Sequence, residues 1–116
     1  MTEYKFQLII VPEDYNYDEE DIVYRIYFDE QLISERSLPK LKLNQGITEN
    51  FNLLIDNKQN TKFLVIQNLK SKRTKIEKIF INGASFNKSN KIRIRDLDIT
   101  MQYINNTEEI SNGLSD

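Results

Sequence analysis

The densest set of oxygen donors in this chain is the run Glu13-Asp14-Tyr15-Asn16-Tyr17-Asp18-Glu19-Glu20-Asp21. Carboxylates at short spacing suit Ca²⁺, which takes about six to eight oxygen ligands. The run lacks the glycine and ordered spacing of an EF-hand loop, so it reads first as a solvated loop. Tyr15 and Tyr17 within it are candidate interaction residues, because exposed tyrosines are favoured anchors at protein and sugar interfaces. Asp96 and Asp98 lie two apart and would share one face of a strand. Paired carboxylates can hydrolyse a glycosidic bond when they flank it. No second pair accompanies them, and they read better as acids that satisfy backbone N–H groups at a bend.

Other chemistries lack their residues. The chain has no histidine and no cysteine, which removes the usual acid–base group near neutral pH, thiolate metal sites and disulfides. Its serines have no histidine to activate them, and nothing marks a Ser–Lys arrangement. Gly46, Gly83 and Gly113 are the only glycines, so no phosphate-binding glycine loop exists. No catalytic residue, cofactor or metal site is expected, and the protein is not expected to be an enzyme.

The basic residues Lys70, Lys72, Arg73, Lys75 and Lys78 form a second candidate interaction region, with phosphates as one possible target. Residues 1–57 carry a net charge of −7, residues 58–95 a net of +10 and residues 96–116 a net of −5, giving −2 overall. Such segregation can steer one copy of a chain onto another, or simply set oppositely charged strands side by side. A nucleic-acid groove is the weaker use of the basic block. Phe63, Phe80 and Phe86 look like core positions rather than stacking platforms, and the pI is about 5.2.

The elements that must position these residues are strands. Tyr4, Phe6, Leu8 and Ile10 alternate with Lys5, Gln7 and Ile9, and Ile22, Tyr24, Ile26 and Phe28 do the same around Arg25. Period-two alternation puts one apolar face inward and leaves the other outward. About eight strands are predicted, at roughly 3–11, 22–29, 31–37, 47–55, 62–69, 75–81, 84–86 and 91–103. Asn82-Gly83 is the strongest turn signal, since both residues accept the positive φ of a tight hairpin. Within 91–103 the apolar parity switches, from Ile92 and Ile94 to Leu97, Ile99, Met101 and Tyr103. A β-bulge or bend near Arg95-Asp96 would reconcile the two halves. No segment has helical spacing.

The expected fold is therefore all-β: a single antiparallel β-sandwich, jelly-roll-like, over residues 1–104, followed by a polar acidic tail at 105–116. The apolar run Leu8–Val11 is too short for a signal-peptide core or a membrane span. Synthesis in a cytoplasm, without a membrane partner, is expected. Ile, Asn and Lys supply 40 of the 116 residues, a bias typical of AT-rich coding sequence in bacteria and their phages.

The stretch Phe63–Phe86, FLVIQNLKSKRTKIEKIFINGASF, resembles the closing half of small jelly-roll carbohydrate-binding modules, in which a strand, a polar loop and a second strand end in an ING-type turn. That resemblance covers 24 residues and implies a sandwich with a sugar-binding surface. The loop Ser71-Lys72-Arg73-Thr74 is basic where the calcium-dependent members carry acids, and tryptophan is absent. The whole chain also resembles, in size and style, the cysteine-free β-sandwich accessory proteins of tailed-phage virions. This resemblance implies a capsid-decoration or tail component whose partners are other protein subunits or its own copies.

The first expectation for function is therefore a non-catalytic structural module of a larger assembly. A carbohydrate-binding module, with a patch drawn from Tyr15, Tyr17, Tyr27 or Tyr103, is the alternative. A polyanion binder using residues 70–78 comes third.

Overall fold

The computed structural model describes residues 2–12, 22–38, 46–56, 61–69, 74–86, 91–95 and 97–105. Nine strands run in chain order: β1 (Thr2–Pro12), β2 (Ile22–Phe28), β3 (Gln31–Leu38), β4 (Ile47–Ile55), β5 (Thr61–Asn68), β6 (Thr74–Ile81), β7 (Ala84–Phe86), β8 (Lys91–Ile94) and β9 (Leu97–Asn105). They form a four-stranded sheet in the order β4-β1-β6-β7 and a five-stranded sheet in the order β3-β2-β5-β9-β8. The two pack face to face as a β-sandwich, all-β as the alternation predicts.

The inward faces are those the period-two pattern marks. Tyr4, Phe6, Leu8 and Ile10 from β1 meet Ile22, Tyr24, Ile26 and Phe28 from β2, with Leu64, Ile66 and Ile99 beside them, all buried. Phe6 joins the layers. Its ring stands edge-on to Phe28 of the other sheet at 5.7 Å and stacks on Phe51 of the neighbouring strand at 5.1 Å. Such aromatic pairs add about 0.5–1.5 kcal/mol beyond the area they bury.

Three differences from the sequence expectation have local causes. The parity switch near Arg95 is a hairpin rather than a bulge. Ile94 pairs with Leu97, and Arg95 has φ 53°, so one long strand becomes β8 and β9. A bulge does occur, but in β6. Ile9 pairs with Lys78 and Ile10 with Ile76, leaving Glu77 as the extra residue. That insertion turns both Ile76 and Ile79 inward and rotates Phe80 to the outer face, where it is only half-buried. Phe80 is therefore not a core residue. Phe63 is likewise exposed on the outer face of the five-stranded sheet, while Phe86 packs against the core. Finally, β5 and β9 run parallel, with Leu64 opposite Met101, so the five-stranded sheet is mixed.

Candidate interaction surfaces

Most of the residues singled out by sequence lie outside the described residues: Tyr15, Tyr17, Lys70, Lys72, Arg73 and Asp96, with the acidic run 13–21 and residues 106–116. Lys75 is described. It sits in β6 opposite Val11, on the outer face of the four-stranded sheet, with Lys78 further along the same strand. Asp98 makes a two-oxygen ion pair with Arg93 at 3.1 Å, on the exposed surface of β8 and β9. Tyr27 and Tyr103 do not share a surface. Tyr27 faces outward from β2, whereas the Tyr103 hydroxyl accepts a hydrogen bond from Ile76 N of the other sheet at 3.3 Å.

The one buried carboxylate among the described residues is Glu49, at an inward position of β4 where the alternation calls for an apolar side chain. Its Oε2 accepts from the Tyr24 hydroxyl at 2.5 Å and from Arg36 Nε at 2.8 Å. Its Oε1 accepts from Arg36 Nη2 at 2.9 Å and from Ser34 Oγ at 3.4 Å. Burial pushes this carboxyl up, but the hydrogen bonds from Arg36 and Tyr24 and the Arg36 charge outweigh it and hold Glu49 below the usual carboxylate range. Burial first, and then the Glu49 carboxylate, push the Tyr24 hydroxyl far above its ordinary value. A carboxylate locked as an ion, with every neighbour a donor, is neither a general acid nor a free base. The cluster ties β4 of one sheet to β2 and β3 of the other.

A second tie lies in the same cross-strand row, Arg36–Tyr24–Asn68–Asn105, and joins β5 of one sheet to β6 of the other. Asn68 of β5 is buried, and its Oδ1 accepts from Thr74 N at 3.0 Å and Thr74 Oγ1 at 2.7 Å, while Nδ2 donates to Asn105 Oδ1 at 2.8 Å.

Two outer surfaces remain. On the five-stranded sheet, register puts Leu32, Tyr27 and Val65 in one cross-strand row. Phe63 and Ile104 lie on either side of that row. Leu32 is 48% exposed, Phe63 40% and Ile104 39%. The outward Gln67, between Arg25 and Ile104, has a buried Oε1 with no hydrogen-bond partner among the described residues. On the four-stranded sheet a shallow depression of about 330 Å³ is lined by Lys5, Gln7, Asn50, Asn52, Phe80 and Gly83. It combines carboxamides, an ammonium and one aromatic face. Comparison with protein-family models, curated proteins and solved structures gives no match for this chain.

Proposed function

We propose that this protein is a non-catalytic module that packs against other protein subunits or copies of itself within a larger assembly, of the kind that tailed-phage virions contain. The observation that carries this reading is the apolar band Leu32–Tyr27–Val65, flanked by Phe63 and Ile104. The outer face of an antiparallel sandwich normally carries polar side chains, and the exposed Leu32, Phe63 and Ile104, set around a half-buried Tyr27 and a buried Val65, point to a protein partner. Light scattering on the purified protein tests the reading. A discrete oligomer that persists at high salt is expected, since salt screens ion pairs but strengthens apolar contact. Phe63→Asp should reduce its mass. A monomer at low and high salt would overturn self-assembly.

The depression on the four-stranded sheet favours a second reading, binding of a neutral carbohydrate. Carboxamides such as Gln7, Asn50 and Asn52 present a donor and an acceptor side by side, as adjacent sugar hydroxyls do, and Phe80 offers an apolar face. A glycan array separates the two readings: binding that Phe80→Ala abolishes supports the second.

A further inference from the structure

Four strands form the edges of the two sheets, and three of them are blunted. β7 is three residues long, and β8 is four residues long and carries Lys91 and Arg93. β3 carries Glu35 and Arg36, and its ladder with β2 slips between Ile26 and Tyr27. Shortness, charge and bulges are the features that stop an edge from recruiting another strand. β4 is neither short nor bulged, and its one charge, Glu49, points inward, where Arg36 already pairs it. It is nine residues long, ITENFNLLI, without proline or a basic residue. Its ladder with β1 runs without a slip from Thr2↔Ile55 to Ile10↔Ile47.

The open backbone groups of β4 can be named. Lys5 N donates to Asn82 Oδ1 and Lys5 O accepts from Asn82 N, so both point toward β6 and its turn. Successive residues of a strand aim these groups to opposite sides. Tyr4, Phe6, Leu8 and Ile10 therefore bond Leu53, Phe51, Glu49 and Ile47. Thr48, Asn50, Asn52 and Leu54 are left with N–H and C=O directed away from β1. Their side chains are exposed too, and Leu54, at 66%, is the most exposed large hydrophobic residue among those described.

We infer that this edge is completed by β4 of a second copy, antiparallel, about a two-fold axis at Phe51. The inference rests on the assembly reading and names one of its interfaces. The axis at Phe51 is the register that uses all nine residues. It sets Asn50 opposite Asn52 and Thr48 opposite Leu54 on the outer face, and Ile47 opposite Ile55 and Glu49 opposite Leu53 on the inner one. Hydrogen-bonded pairs exchange two bonds each, so four such pairs give about eight. No like charges meet, the carboxamides of Asn50 and Asn52 can bond each other, and Leu54 loses its exposure. A two-fold interface requires one surface to complement itself, and this strand does.

Proline at position 50 removes an N–H that β1 does not use, so it blocks the new ladder while sparing the old one. The experiment compares the solution mass of the wild-type chain with that of Asn50→Pro and of the double variant Asn50→Glu/Asn52→Glu. The double variant sets like charges opposite each other only across the proposed axis and keeps the test open if the proline variant does not fold. Both are expected to lower the mass about two-fold with the far-ultraviolet strand signal kept. Because the chain has no cysteine, the Asn50→Cys/Asn52→Cys variant should oxidise to a covalent dimer. Unchanged mass in folded edge variants, with mass still lost in Phe63→Asp, would overturn this interface and leave the assembly reading standing. A monomeric wild-type chain would overturn this interface and self-assembly together, leaving only packing against other subunits.

Discussion

Glu49 decides the polar chemistry of the interior, and its position is legible in sequence. Ile47, Phe51, Leu53 and Ile55 alternate inward, so a glutamate at 49 breaks an apolar file. Its partners were not legible, because Arg36 and Tyr24 lie 13 and 25 residues away and only the packing of two sheets joins them. Glutamine at this position keeps one acceptor oxygen but turns an NH2 toward a neighbour that also donates, and it removes the charge opposite Arg36. Arg36 is 46% exposed and can turn to water, so Glu49→Gln should cost about 3 kcal/mol in urea unfolding, the low end for a broken buried pair. Folding lowers this pKa, so the carboxylate's contribution is complete above its unfolded value of about 4.3 and is lost as pH falls through the lower folded value. Acid titration of stability should therefore fall less steeply for Glu49→Gln than for wild type. Phe80 gives the contrasting case. Half-buried on an outer face, it should cost about 1 kcal/mol as Phe80→Ala, against about 3–5 kcal/mol for Phe6→Ala in the core.

At the scale of the element, strand positions follow from alternation and turn chemistry, and their faces follow wherever the ladder keeps register. Asn82-Gly83 forms the turn its sequence announces, with φ of 51° and 82°. Asn82 then does more than turn, since it bonds both backbone groups of Lys5 in β1. Asn82→Ala should lower stability by about 1–2 kcal/mol through left-handed strain and the lost side-chain acceptor, and Asn82→Gly should recover part of it, as thermal melts can measure. Parity was ambiguous at two of the places where the chain breaks it. Between Ile94 and Leu97 the strand direction reverses and these two residues pair, and between Ile76 and Ile79 there is a bulge. Both produce the same one-residue shift in a sequence pattern, so only pairing partners tell them apart.

For the whole molecule, the sheets are held by a continuous apolar core and by two polar ties that share one cross-strand row, at Glu49 and at Asn68. The Asn68 tie shows what the second of these contributes. Asn68→Ala strands the Thr74 N–H and hydroxyl in a buried site, and a loss of about 2–3 kcal/mol is expected in denaturant unfolding. The two outer faces differ in kind: one is an apolar band, the other an amide-lined depression bordered by the open β4 edge. An apolar face and an unblunted edge on different sheets would allow a subunit two separate contacts, which is what an extended assembly needs.

The sequence by itself determined the all-β class, the strand positions, the core files of β1 and β2 and the absence of histidine and cysteine chemistry. These depend on side-chain alternation and residue type, which are local properties. Tertiary structure alone decided the strand order, the parallel β5–β9 pair, the partners of Glu49 and which strands lie at an edge. Alternation says which way a side chain points but not which strand lies beside it, and neighbours are chosen by burial summed over both sheets.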